Sequence, residues 1–464
     1  MTLSLSTLPT DIILEVVKFL HLPDPLSLLS TCSYIYRLST ERSFWLSVLE
    51  TTRRKSPIAC PRHTDLSQYT LDALKDLAVS WLKLQTNWSQ PFPRLAHPVT
   101  STALPEDVGI VFIVPGTDIL LLTTAGTVLC WDVKSNEPFP LPAIEIDWPI
   151  FDVSAPSEVP GITSVAFLVR TSDIAERRHV FTIAHEARKA VSFAGRYSEF
   201  SGPSDPHRDT QSLFLTEDVV GTVVVVHDRR DCTVTVGAVT ESDNRPDSTS
   251  VLKLPHTFSY EHEMVVSVVY KGHLYHFIED GHSVQIQHIA RNSLLSGECA
   301  QAGLYSSDSS LTSISGPLDS AFSMIPSTPY YGVGAVFVRC TDTHFSISFL
   351  PTALTDAIDD GVSSPLTFGA PCVSKIIQGK EVSANLMWLD HSGFNAAFVV
   401  QSAMATAALL LVRYHPDTKS ISQHTIKVPE SIDLDAPNAV CVDDTAGAVH
   451  LVDKQGVLWT LRYV

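Results

Sequence analysis

Residues 108–133 read VGIVFIVPGTDILLLTTAGTVLCWDV. Three apolar runs, VGIVFIV (108–114), DILLLT (118–123) and TVLCWDV (127–133), are separated by a short link and by the turn region TAG. Short β-rich runs bounded by turn formers read as antiparallel strands. The same unit recurs along the chain. It is ITSVAFLVR, HVFTIA and KAVSFA from 162, then QSLFLT, TVVVVH and CTVTVGAV from 211, then EMVVSVVY, HLYHFIE and SVQIQHI from 263. Next come GAVFVRC and HFSISFL, whose first strand is sought near Ser323–Tyr331, then SANLMWL, AAFVVQ and AALLLVRY, and last NAVCVD, AVHLVD and VLWTLRYV.

The third strands start near 127, 189, 232, 283, 344, 407 and 457, a mean spacing of about 55 residues. Unequal insertions between units oppose a regular solenoid. They suit a β-propeller, whose loops leave each sheet at its rims, better than a pair of β-sandwiches. The expectation is a large all-β domain over 91–464 with about seven blades, preceded by a small all-α module. Segments such as Val251–Leu254 and His424–Val428 would supply outer fourth strands. The chain ends on a third strand, so a segment ahead of the first unit, such as Arg94–Thr100, is expected to complete the last blade and close the ring.

Charge divides the chain at the same place. Residues 1–88 hold 9 Lys+Arg and 8 Asp+Glu; subtracting these from the totals of 32 and 50 leaves 23 and 42 in residues 89–464, a net of −19. Such a surface repels phosphate backbones and opposes nucleic-acid binding. The eight cysteines form no CxxC pair, which opposes a disulfide scaffold or a structural zinc site. No basic leader precedes an apolar stretch, and the best membrane candidate, Ala396–Val412, is short, Ala-rich and interrupted by polar residues. Two buried strands and a turn are expected there, in a cytoplasmic or nuclear protein.

The N-terminal segment reads TLPTDIILEVVKFLHLPDPLSLLSTCSYIYRLSTERSFWLSVL over 7–49. Three short helices are expected: from about Pro9 to Leu20, from Asp24-Pro25, and from near Ser39. Between 11 and 20 only Asp11, Glu15 and Lys18 are polar, so this helix should be covered on at least two sides. Of the 42 residues from Leu8 to Leu49, 22 are apolar or aromatic, too many for so short a segment to hide alone. Either the helices pack on the rest of this chain, or they dock another protein. Residues 51–64, TTRRKSPIACPRHT, read as a loop carrying the basic run Arg53-Arg54-Lys55, and a one-sided apolar stripe predicts a bracing helix near Thr70–Leu84.

The residues Leu8-Pro9-x-Asp11-Ile12, Val16, Phe19-Leu20, Leu22-x-Asp24-x-Leu26, Leu28-Leu29, Thr31-Cys32, Tyr36, Leu38 and Trp45 resemble an F-box. Tyr34–Arg37 depart from it, standing where the family often carries Arg and Trp. The resemblance implies an F-box over 1–50, a helical linker over 51–90, and a partner, the Skp adaptor, which joins F-box proteins to a cullin–RING ubiquitin ligase. It implies adaptor contacts by Leu8, Pro9, Ile12, Val16, Leu20, Leu26, Leu29, Cys32 and Trp45. The first β unit, with Gly126-Thr127-Val128 and Trp131-Asp132-Val133, is similar to a WD repeat. An F-box ahead of a WD-type propeller looks like the substrate receptor of such a ligase; an F-box scaffold acting outside a ligase is the alternative.

In WD-type propellers the turns joining second and third strands share the usual binding face. That placement puts Arg188 with Arg229-Arg230 as its most basic patch, suited to a phosphorylated target, unless Asp228 and Asp231 neutralise the pair. The net charge of −19 favours basic targets instead.

No enzymatic constellation emerges. Gly332-Val333-Gly334 lacks a third glycine, and Gly379-Lys380 is preceded by Ser374 where a P-loop needs glycine. The carboxylate pairs Asp359-Asp360 and Asp443-Asp444 read as solvated turns. His273 and His276, three apart on a strand, face opposite sides and do not chelate. Neither a metal nor a cofactor is expected, and the Ser-rich stretch Ser306–Ser323 reads as a loop.

Overall fold

The computed structural model describes residues 8–464 except 21, 105–107, 125, 147–149, 171–175, 187, 201–207, 227–230, 239–249, 258–263, 280–283, 292–293, 295–302, 307–321, 327–328, 341–343, 354–365, 370–371, 379–381, 391, 403–404 and 435–436. The pair Asp359-Asp360, the segment Arg229-Arg230 and most of the Ser-rich stretch fall outside the described residues.

The strands form seven antiparallel sheets of four or five strands among the described residues. Six of these sheets are local meanders whose strands pair with near neighbours in sequence, and the seventh joins three such strands to one from early in the chain. Each packs on the next in chain order, and the seventh touches the first through Pro437–Asp443 and Gly109–Ile113. A buried apolar cluster lies at each of these contacts. Phe112, Leu121 and Val128 meet Phe167 and Phe181 between the first two sheets. Ile113, Leu120 and Trp131 meet Cys441, Val452 and Leu458 between the first and the last. The architecture is a β-propeller, with a few helices at the N-terminus.

The ring is closed by the chain's own early segment. Thr100–Ala103 pairs antiparallel with Val457–Arg462, in the register Thr100↔Thr460 to Ala103↔Val457. Leu104 N–H donates to the Gly456 carbonyl and Ala96 N–H to the Arg462 carbonyl, extending the join at both ends. The expected closing segment was Arg94–Thr100; the strand itself lies a few residues later, after Pro93 and Pro98, which cannot donate to a ladder.

Five of the remaining units follow the expected order, and their outer strands include Ser250–Thr257 and Ser420–Ile426. The unclear strand of the fifth unit is Phe322–Pro326. In the sixth, Asn395–Ser402 and Ala405–His415 are the two buried strands expected in place of a membrane span, and no helix among the described residues is long and apolar enough to cross a membrane.

The second unit is corrected by one strand. Its sheet runs Lys189–Phe200, Glu176–Glu186, Ile162–Arg170, Ile150–Val153, with Ser157–Val159 also on Ile162–Arg170. The run ITSVAFLVR is therefore its second strand, and Lys189–Phe200 its outer fourth. Ile150–Val153 escapes the apolar pattern because it is short and carries Asp152, whose carboxylate accepts from Leu213 N–H of the third sheet at 2.9 Å.

The N-terminal helices are α1 (Thr10–Val17), α2 (Pro23–Leu29), the single turn α3 (Ser33–Tyr36), α4 (Arg42–Lys55) and α5 (Leu71–Trp88). The helix α1 stops three residues short of the expected Leu20, since Phe19 and Leu20 bond back to Val16 and Val17 in a tightened last turn. The loop expected from residue 51 begins later. Nothing in Thr51–Lys55 breaks a helix, and Arg53, Arg54 and Lys55 sit at the negative end of α4; Ser56 is extended ahead of Pro57. Thr70 caps α5, its hydroxyl accepting from Ala73 N–H at 3.3 Å.

By strand alternation Thr102 N–H lies at a bonded position facing Leu458. Thr102→Pro is expected to lower the melting temperature and to promote association through the freed sheet edges, measured by calorimetry and by sizing. A variant that melts as the parent does and stays monomeric would refute closure by this strand.

Candidate functional site

Among the described residues, two regions carry side chains with functional potential: the outer face of α1, and the seam between the helices and the ring.

The helices share one core. Ile13, Val17, Leu22, Leu29, Ile35, Leu38, Phe44, Trp45, Val48 and Leu49 are buried together with Ile58, Cys60, Leu66, Leu74 and Ala78. The apolar excess of the first fifty residues is thus partly covered by the chain's own next thirty. Coverage of α1 is one-sided, not two-sided as the sequence suggested. Ile12 and Val16 are each 44% exposed, Phe19 is 79% exposed and Tyr36 63%.

This sorts the residues expected to contact an adaptor. Pro9, Ile12 and Val16 lie on the surface, and Leu8, Leu20, Leu26 and Cys32 are half-buried. Leu29 and Trp45, at 7% and 4% exposure, belong to the module's interior. Trp45 Nε1 donates to the Ser39 carbonyl at 2.9 Å and its ring meets Phe44 edge-on, so it supports the helices and does not line their surface. Phe19 and Tyr36 are the surface residues that the expected contact set omitted. Their exposure depends on α1 ending at Val17 and on α3 forming, neither of which is marked by a capping residue.

The seam is built on α5. Its first half packs in the helical core through Leu74 and Ala78, and its second half enters the ring through Leu84 and Trp88, which lie among Ala397, Leu409, Val440, Leu451 and Tyr463. Asn87 joins the two ends of the propeller chain: its Nδ2 donates to the carbonyls of Arg94 and Tyr463 at 2.6 and 2.9 Å, and its Oδ1 accepts from Arg94 N–H at 2.8 Å. Arg413 of the sixth sheet donates to Gln85.

The segment Ile58–His63 runs across the ring on the same side. Gly116, at φ 71°, turns directly beneath it; a Cβ there would overlap the Cys60 carbonyl. The Arg62 guanidinium lies 3.2 Å from the centre of the Tyr330 ring, a stacked cation–π contact. Arg188 grips Asp118 with two bonds, at 2.8 and 3.2 Å, and donates from Nη1 to the Ala59 carbonyl at 3.2 Å.

Arg188 is therefore a buttress for the helices. Its turn joins third and fourth strands, a consequence of the one-strand shift in the second sheet. The strands that flank Arg229-Arg230 are second and third of the next sheet and end on the opposite rim. Arg188 therefore does not share a rim with the ends of those strands, and Arg229 and Arg230 themselves lie outside the described residues.

The remaining polar groups fall inside the ring. Asp443 and Asp444 are buried, correcting the solvated turn expected of them. Asp443 accepts from Thr445 N–H, Thr445 Oγ1 and Ala446 N–H, closing the first turn of the last sheet, and burial pushes its pKa up despite those bonds. His276 is fully buried against Ser267, while His273 faces His288 at 2.9 Å, in keeping with the opposite faces expected three residues apart. Among the described residues no three His, Cys, Asp or Glu converge as a metal site, and Cys32, Cys60, Cys130, Cys372 and Cys441 are free thiols.

No family model matches the chain, and no curated protein does. Among solved structures it is similar to the β-propeller domain of Nup133 from Vanderwaltozyma polyspora, at 9% identity and a TM-score of 0.41, over 79% of this chain and 99% of that one. It is similar to the WD40 domain of SCAP from fission yeast, at 12% identity and 0.35, over 75% and 82%. Hsv2 of Kluyveromyces lactis overlaps at 10% identity and 0.35, over 69% and 86%. The propeller architecture is established by this chain's own sheets and closing strand, not by overlaps of that size.

His450, in the last sheet, is buried with Nδ1 bonded to Thr460 Oγ1 of the closing hairpin at 3.0 Å. Burial, reinforced by the Arg462 charge, lowers its pKa from 6.5 to about 3. Folded His450 stays neutral where the unfolded chain takes a proton. Its contribution is present above pH 6.5 and is lost progressively towards pH 3. By pH 5 the loss is about 2 kcal/mol. His450→Asn, which retains a polar group near Nδ1, is expected to melt below the parent at pH 7.5, with the gap shrinking as the pH falls to 5. A gap independent of pH would refute the assignment.

Proposed function

We propose that the N-terminal helices are an F-box-type docking module, that the seven sheets are the seven blades of a WD-like propeller, and that the chain is a non-enzymatic receptor. The helices bind a Skp-type adaptor and the propeller holds a protein target near a cullin–RING ubiquitin ligase, which acts by proximity. The observation that carries the docking half is the outer face of α1 and its last turn: Ile12, Val16 and Phe19 stand in solvent beside a complete core. A large exposed apolar patch on an ordered helix marks a protein interface, and these residues belong to the stretch that resembles an F-box. In support of seven blades, each sheet packs on its successor and the last on the first. The helical side of the ring is occupied by Ile58–His63 and Arg188, so the target surface is assigned to the opposite rim, where the strands flanking Arg229 and Arg230 end.

Ile12→Asp with Val16→Asp tests the reading without touching the core. Capture of a Skp-type adaptor should fall at least tenfold with an unchanged melting temperature. Trp45→Ala, in contrast, empties a core site and should destabilise the helices by about 3–5 kcal/mol whether or not the adaptor is present. Equal adaptor capture by the parent and the double Asp variant would overturn the docking assignment. Adaptor capture without a co-purifying cullin would favour a scaffold outside a ligase.

A further inference from the structure

A cavity of about 300 Å³ lies at the seam, where α5, the Ala59 segment, the first sheet and the last sheet meet. Its volume is at the lower end of the range for small-molecule sites. Ser80 and Leu84 of α5 form one wall, Thr117 and Asp118 of the first sheet another, and His450 and Arg462 of the last sheet a third.

The charges around it are unevenly paired. Two side-chain carboxylates line the cavity, and both are engaged. Asp118 is gripped by Arg188, and Asp443 accepts three bonds within its own turn. Three cations line it as well. Arg188 is committed to Asp118 and the Ala59 carbonyl. Lys134 and Arg462 have no carboxylate partner among the described residues; Arg462 is held in place by one bond from Nη2 to the Val133 carbonyl at 3.0 Å, which sets it beside Lys134. In a domain of net charge −19, two cations without a carboxylate partner among the described residues, at the mouth of one partly open cavity, form a local exception to the field.

We propose that this seam cavity binds a small phosphate-bearing metabolite, with the phosphate seated between Lys134 and Arg462. An arginine fork and a lysine point charge are complementary to such an oxyanion. The remaining volume, beside Ser80 and Leu84, leaves room for a body of modest size. Because the walls come from the brace, the first sheet and the last, an occupant ties the helices to the ring at its point of closure. The proposal is independent of adaptor docking.

Inorganic phosphate and pyrophosphate are the probes, added to the full chain at constant ionic strength with chloride as the reference. A saturable rise in melting temperature is expected, with heat of binding by calorimetry. Lys134→Ala removes an exposed side chain with no structural bond and should weaken binding at least tenfold, with the ligand-free melting temperature unchanged. Arg462→Lys keeps the charge but loses the fork and should weaken it less. Absence of any rise beyond that in chloride would overturn the proposal. So would a rise that persists unchanged in Lys134→Ala, since general exclusion of phosphate from protein surfaces produces that result.

Discussion

Closure of the ring is the constraint on which the rest of the molecule depends. Seven meanders stacked in a row would leave an apolar face open at each end, Ile113, Leu120 and Trp131 on the first sheet and Cys441, Val452 and Leu458 on the last. Bringing those faces together buries both. The join is secured by four residues, Thr100–Ala103, from a part of the chain that precedes every other strand. The other strand pairings within the ring are local; this one spans the chain, and its loop-closure entropy is offset by the cluster it completes.

That geometry dictates where the helices go. A strand of residues 100–103 on the last sheet draws the preceding segment to the same sector, and Asn87 fixes it there by bonds to Arg94 and Tyr463. Helix α5 then has no freedom to stand apart. Its two halves belong to two cores, so the helical module and the ring are mechanically one body across α5. Ile58–His63 adds a second line of attachment through Cys60 against Gly116, Arg62 on Tyr330, and Ala59 with Arg188. The outer face of α1 is left as an apolar surface directed away from both cores.

Most of the architecture was legible in the order of residues, because meander sheets are built from neighbours and period-two apolar runs carry that information directly. The repeat, the need for a closing strand, the bracing helix and the strands of Asn395–His415 all follow from local pattern. The failures are also local in origin. Ile150–Val153 is too short and too polar to register as a strand, so the second unit was displaced by one. The basic run at the end of α4 resembles a loop only until its place at a helix terminus is known.

What composition and pattern determined by themselves is the class of each segment and which residues are apolar. They could not determine which apolar residues face solvent. Ile12 and Ile13 are adjacent and chemically identical, yet one is exposed and the other buried, because the helix presents only one side to Phe44, Trp45 and their neighbours. Leu29 and Trp45 likewise looked like surface contacts until the core claimed them. Arg188 changed from a binding residue to a buttress once strand pairing was known, since a shift of one strand moves a turn to the opposite rim of the ring. Side-chain identity is written residue by residue; exposure and partnership are properties of the packed whole, and only the tertiary structure decides them.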